Sequence, residues 1–295
     1  MAEEETKGDP RMKKAYEASS KLLRKRLEKE RPEDLELLDE MKESDIIVVT
    51  GQYDHAQVNF KMAEVPHTVI SPSEIESLEF NANQLLFINC PGTGITERGI
   101  KTIQQFVETG GMLVTTDWVL RNVLEIAFPE IVRYNDRPTS DDVVRIDILE
   151  GDEDSFIHNV IDNTDDPQWW LEGSSYPIQI LDKEKVRVLV TSKEMEEKYG
   201  EAPIVVAWRQ GEGEVIHMTS HFYLQRTETR TKRHAAPAAA YAVEKGFSEA
   251  EAENMILGDL STAEIESAYT SQAFMADMAL KQKKRALKRQ KEEEK

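Results

Sequence analysis

Short apolar runs alternate with helical stripes along the middle of the chain. Residues 46–51, IIVVTG, form a continuous apolar run closed by glycine, as expected of a strand buried on both faces of a parallel sheet. HTVIS (67–71) and LLFINC (85–90) repeat the pattern, the latter closed by Pro91-Gly92, and MLVTT (112–116) makes a fourth run. Helical signals fill the gaps. Residues 72–78 carry helix-start chemistry. Residues 96–108 are amphipathic, with Ile100, Ile103, Phe106 and Val107 on one face and Gly110-Gly111 as the stop, and 118–127 read as a further helix. Strands and helices alternating at this spacing predict a parallel sheet with helices on both faces.

The second half changes rhythm. VVRIDIL (143–149) alternates like a single strand, and VRVLVTS (186–192), PIVVAWRQ (203–210) and EVIHMTS (214–220) follow. Gly211-Glu212-Gly213 between the last two is a hairpin signal, so an antiparallel continuation of the sheet is expected. Residues 151–180 read as an irregular acidic loop around Trp169-Trp170 and Gly173-Ser174-Ser175, long enough to be functional or packed on the body. Both ends read as helical. Met12, Tyr16, Leu23 and Leu27 mark a helix over 11–31, stopped by Pro32, before a shorter one striped by Leu35, Leu38 and Met41. Ser248/Glu251 and Ser261/Glu264 have capping-box spacing, and Gly258 separates the two helices they start. The second should run from 262 to near 290, dock through Ile265, Tyr269, Ala276, Ala279 and Leu287, and project its basic end, 281–291. Three regions result: a charged helical arm (1–44), an α/β domain (45–240) and a helical extension (241–295).

Charge sharpens this division. The 295 residues are 39% hydrophobic and 32% charged, with a formal net charge of −19. The excess is uneven: 10–31 holds nine Lys/Arg against three Glu, and 281–295 holds eight against three, so residues 46–280 carry −21. Such an acidic body excludes a protein that coats nucleic acid over its whole surface. The basic ends read as solvated helix faces or as contacts to an acidic partner: nucleic acid, anionic lipid, or the acidic body of the same or another copy. Nucleic acid is expected, if at all, only through those ends. No apolar run reaches the length of a membrane span, and the first ten residues lack a signal-peptide core. The single cysteine, Cys90, makes an internal disulfide impossible, and a cytoplasmic setting is the expectation.

The segment from IIVVTGQYDH (46–55) through LLFINCPGTGITERGIKTIQQFVETGGMLVTTDW (85–118) resembles the class I glutamine amidotransferase-like superfamily, and more specifically its ThuA-like and GIFT-like non-amidotransferase branches. A small-residue loop after a strand, a helix ending FVETGG and a strand directly after it carry the resemblance. PIVVAW (203–208), Gly211-Glu212-Gly213 and Ser220-His221 resemble the close of the same domain class, extending the likeness over roughly 45–225. It implies a flavodoxin-like, three-layer α/β sandwich with a mostly parallel sheet, an antiparallel C-terminal extension and helical additions at both ends. In active amidotransferases a nucleophilic Cys occupies the turn directly after the Gly-Gly strand. Here that turn reads Thr115-Thr116-Asp117, a degenerate elbow without thiol, and no His-x-Glu pair follows at His221. Glutaminase activity is therefore not expected, and Cys90, one strand away, reads as a buried, inert thiol.

The remaining chemistry should collect at the C-terminal edge of the parallel strands, where open α/β sheets bind ligands. Gln52, Tyr53, Asp54 and His55 follow the first strand, Cys90, Thr93 and Gly94 the third, and Thr116 and Asp117 the fourth, with His221 joining them. Asp54, Asp117 and His221 are the acid/base candidates. The others are pocket candidates, and the set is also readable as a polar remnant held by hydrogen bonds. No metal site is expected, because His217 and His221 are four apart on and after a strand, where they do not converge. No cofactor is expected either: Pro91-Gly92-Thr93-Gly94 lacks both phosphate-loop patterns. The leading functional expectation is a non-catalytic binding or scaffold module whose terminal helices meet a protein partner or a second copy. The alternative is a ThuA-like hydrolase or isomerase acting on a sugar-like molecule.

Overall fold

The computed structural model describes residues 10–149, 157–160, 167–221, 232–255 and 258–293. Along the chain run α1 (Pro10–Glu30), α2 (Pro32–Asp39), β1 (Ile46–Val49), α3 (Ala56–Met62), β2 (Thr68–Ile70), β3 (Leu85–Ile88), α4 (Glu97–Glu108), β4 (Met112–Thr116), α5 (Glu125–Ala127), β5 (Val132–Tyr134), β6 (Asp142–Arg145), β7 (Asp147–Ile148), α6 (Ile157–Val160), β8 (Gln168–Leu171), β9 (Ile178–Ile180), β10 (Arg187–Thr191), α7 (Lys193–Tyr199), β11 (Pro203–Gln210), β12 (Gly213–Met218), α8 (Ala238–Glu244), α9 (Glu249–Asn254) and α10 (Thr262–Glu293). Eight strands form the central sheet in the order β2-β1-β3-β4-β12-β11-β10-β7. The pairs from β2 to β12 are parallel, with Val48 opposite Phe87, Phe87 opposite Val114, and Val114 opposite Ile216. From β12 outward they are antiparallel.

Successive strand residues divide between two cores, as the two-residue period requires. Ile47, Val49, Leu86, Ile88, Leu113 and Val215 pack with Ile103, Phe106 and Val107 of α4. Ile46, Val48, Leu85, Phe87, Val114 and Ile216 pack on the other face with Phe60 of α3, Leu22 of α1 and Phe274 of α10. The molecule is therefore α/β, with a largely parallel sheet between helical layers. Thr96 caps α4, its hydroxyl accepting from Gly99 N at 3.0 Å. Gly213 opens β12 where no side chain fits: a Cβ there would lie 2.0 Å from the Val107 carbonyl oxygen.

Four expectations change. Residues 118–127 are not one regular helix. A π-helical stretch, Leu120–Leu124, precedes a single turn of α5, and Asn122 Nδ2 donates to the Pro91 carbonyl at 2.8 Å. VVRIDIL breaks into β6 and β7, which belong to different sheets, because Ser192 Oγ and Glu194 take the Arg145 carbonyl and amide. The 151–180 segment contains β8, paired antiparallel with β6, and β9, paired with β5. Their partners are remote in sequence and their strands short, so local pattern gives little sign of them. Finally, the described basic end of α10 does not project. Lys281 and Arg285 reach Glu214 at 3.0 and 3.3 Å, Lys283 reaches Asp45 at 2.7 Å, and Arg289 donates to the Gly110 carbonyl at 3.0 Å. Long basic stems lie along the body while their heads find its acids. Among the described residues no helix is long and apolar enough to cross a membrane.

Candidate functional site

Four parallel strands end side by side, and each delivers one polar side chain to the same point. Asp54 follows β1, Cys90 follows β3, Asp117 follows β4 and His221 follows β12. All four are buried. His221 Nε2 lies 3.6 Å from Asp54 Oδ2 and 3.9 Å from Asp117 Oδ2. Donor atoms of Cys90, Asp117 and His221 lie within 4.8 Å of one another. The backbone is bent to do this. Asp117 and Ser220 have φ of +46° and +64°, the left-handed region that side chains rarely adopt. Each turns the chain sharply at a strand end, and Asp117 N donates to the Met218 carbonyl at 2.9 Å, tying the two bends together.

A segment absent from the expected site closes over it. Trp169 of β8 donates its indole N–H to the Thr219 carbonyl at 2.9 Å, and Glu172 N donates to Ser220 Oγ at 3.1 Å. Glu172 is thereby delivered to His221, whose Nδ1 pairs with its carboxylate. With Nδ1 against Glu172, the Nε2 side of the ring faces Asp54 and Asp117. Further along, Ser175 Oγ and Tyr176 N donate to the two oxygens of Asp117 at 3.2 and 2.8 Å. Asp54 is held by Thr116, whose hydroxyl donates to Oδ2 at 2.5 Å. Glu172 sits beside the Trp-Trp pair in a stretch with no recognisable motif, so only its acidity signalled it.

Two buried carboxylates, the part-exposed carboxylate of Glu172 and a buried thiol surround one imidazole. Burial raises the Asp117 carboxyl to about 7, against the opposing pull of His221 and the Tyr176 N–H. Burial alone would lower His221, but Glu172, Asp54 and Asp117 outweigh it and the net shift is upward. The Cys90 thiol is pushed well above its ordinary value, by burial first and then by Asp117 and Asp54, with the nearby backbone N–H of Trp118 working the other way. This agrees with an inert thiol in the protein as it stands. His217 is a separate matter: fully buried, lowered to about 3 by desolvation, it shares a 2.8 Å hydrogen bond with Thr115.

The pocket candidates divide. Gln52 and Tyr53 donate their backbone N–H groups to the Cys90 carbonyl at 2.9 and 3.3 Å, so their loop rims the cluster. Tyr53, 51% exposed, meets Trp118 edge-on at 5.2 Å, and Trp118 stacks on Tyr176. His55 is exposed, with Gln57 at 3.5 Å as its side-chain neighbour. Thr93 and Gly94 are exposed as well, and Gly94 faces Pro72. None of these three contacts the cluster in any described hydrogen bond. Of the basic run after β12, Arg226 and Arg230 lie outside the described residues. Arg233 binds Glu244 and Glu266 at 2.6 and 3.0 Å, and His234 lies 3.5 Å from Glu266.

No family model matches the sequence, and no curated protein matches it. Solved structures give distant likenesses. A protein described as ThuA-like from Bacteroides uniformis ATCC 8492 is 11% identical, with a TM-score of 0.42, over 61% of this chain and 82% of its own. A cytoplasmic protein from Salmonella typhimurium LT2 is 14% identical, with a TM-score of 0.42, over 61% and 88%. An exo-β-1,4-mannosidase from an Opitutaceae bacterium is 14% identical, with a TM-score of 0.40, over 60% and 31%. The chain thus spans under a third of the length of this and two β-galactosidase structures it is similar to. Likenesses at these scores carry no weight for activity.

Proposed function

We propose that this chain is a small-molecule enzyme of the acid–base type, working at the C-terminal edge of its parallel sheet. The carrying observation is the meeting of Asp54, Asp117 and His221 at 3.6 and 3.9 Å. A carboxyl raised to about 7 is suited to give or take a proton near neutral pH. In this reading Asp117 exchanges the proton, His221 is its partner with Glu172 holding the ring, and Asp54 supplies negative field. Resemblance of residues 45–225 to ThuA-like proteins supports a sugar-like substrate and a hydrolysis or isomerisation, and the Tyr53–Trp118 rim offers rings for such a molecule to rest on. The strand order β2-β1-β3-β4-β12 supports the flavodoxin-like reading, in which ligands bind where the order reverses. Glutaminase chemistry has no part in it, since an aspartate after β4 forms no thioester.

A second reading, the non-catalytic module, is favoured by a different observation: the three side chains are buried rather than lining an open cleft. Its partner would be a protein or a second copy, met through the outer faces of the terminal helices. One experiment separates the two. A panel of sugars and keto-sugars is incubated with wild type, Asp117→Asn and His221→Ala, and conversion is followed by NMR. Turnover by wild type that falls by about 100-fold or more in both variants supports the acid–base reading. No turnover by wild type, or equal turnover by Asp117→Asn, rejects it in favour of the module.

A further inference from the structure

We propose that Cys90, Asp117 and His221 form a three-ligand site for a borderline divalent cation of the zinc class, with the fourth position left to solvent or substrate. The proposal rests on the functional reading above, that this cluster is the working centre, and names the ion it would hold.

Geometry comes first. The donor atoms of Cys90, Asp117 and His221 already lie within 4.8 Å of one another, and His221 Nε2 is 3.6 Å from Asp54. A tetrahedral zinc, with Zn–S of about 2.3 Å and Zn–N of about 2.0 Å, sets ligand-to-ligand separations of about 3.3–3.6 Å. Three donors already within 4.8 Å of one another need to close by at most about 1.5 Å to reach that spacing. The donor mix then selects the ion. Calcium and magnesium take oxygen ligands, whereas thiolate, imidazole and carboxylate together suit zinc and its neighbours.

The support around the donors is the third observation. Two of the donors are held by groups from another part of the chain, Glu172 on His221 Nδ1 and Ser175 and Tyr176 on Asp117, and Thr116 holds the neighbouring Asp54. A carboxylate on the far nitrogen of a histidine, leaving the near one facing other donors, is the usual outer support of a metal-bound imidazole. Charge is the fourth. Two buried carboxylates, Asp54 and Asp117, and the part-exposed Glu172 crowd one imidazole, and a cation would offset their mutual repulsion. The alternative occupant is the proton, held by Asp117 and Cys90, with no ion bound.

This revises the expectation of no metal. The three donors stand at the ends of three strands, at 90, 117 and 221, so no short motif exists to be read. The near-motif, His217 and His221, is a false lead because His217 is bonded to Thr115.

The test uses the full chain, stripped with chelator and dialysed. Zinc is titrated in competition with a chromophoric chelator, and cobalt is added separately for its spectrum. Stoichiometric zinc binding is expected, with a thiolate-to-cobalt charge-transfer band that Cys90→Ser loses while the visible cobalt bands remain. Glu172→Gln, which keeps shape, should weaken zinc about 10–100-fold. Thermal unfolding verifies that each variant is folded, and Cys90→Ser and Glu172→Gln suffice if His221→Ala is not. Substoichiometric binding, or equal affinity in wild type, Cys90→Ser and Glu172→Gln, overturns the proposal and leaves the proton as occupant. Substrate conversion by the stripped protein removes the metal but keeps the acid–base reading. Stoichiometric zinc without conversion of any substrate does the reverse.

Discussion

Asp117 and Ser220 end two neighbouring strands in conformations that cost about 1–3 kcal/mol each. The surroundings over-determine them, through the Met218 carbonyl, Ser175, Tyr176 and Glu172. Asp117 adds a titration. Its folded value is near 7 against 3.8 when unfolded, so the stability it brings is full below 3.8 and lost as pH rises through 7. His221 is raised as well, and its contribution is lost above 6.5, in the same direction. With chelator present, the melting temperature of wild type should therefore fall between pH 6 and pH 8, and Asp117→Asn should flatten that slope; a wild type that gains stability over this range contradicts the assignment. Asp54, Asp117 and His221 were legible because each lies within a few residues of the end of an apolar run that is easy to read. Glu172 was not, since it arrives from β8 in another sheet, and contacts between residues far apart leave no local trace. His55, Thr93 and Gly94 share strand ends with the cluster, yet face elsewhere: position after a strand selects a neighbourhood, not a direction.

At the scale of elements, the parallel strands and α4 follow their sequence limits closely, because a fully buried strand must be apolar throughout and a surface helix must be striped. Failures come where tertiary partners intervene. VVRIDIL has the alternation of one strand, but its two halves pair with β8 and β10. The joint most worth cutting is Glu214 on β12, 1% exposed and shared by Arg187, Lys281 and Arg285. Glu214→Gln leaves three cations without their common anion and should cost about 3–5 kcal/mol, read by urea unfolding. A loss under about 1 kcal/mol would assign the cluster to the weak class of solvent-screened pairs. Thr96→Ala removes the cap of α4 and should cost about 0.5–2 kcal/mol by the same measurement.

For the whole molecule, the basic ends are largely counter-charges to the body they belong to. Arg11 binds Asp259 and Glu264, Arg31 binds Asp34 and Asp277, and Lys283 and Lys284 bind Asp45 and Asp34. Deleting 281–295 should therefore destabilise the fold by about 3–5 kcal/mol, or about 5–8 °C in melting temperature. An unchanged melting temperature would restore the projecting arm. By itself the sequence determined the α/β class, the parallel core strands, the helical ends and four of the clustered residues, Asp54, Cys90, Asp117 and His221, because burial and capping impose patterns on neighbouring positions. Tertiary structure alone decided that α10 lies on the body and that Glu172 reaches His221. These depend on which remote segments meet, and charge or apolarity at one position does not specify its partner.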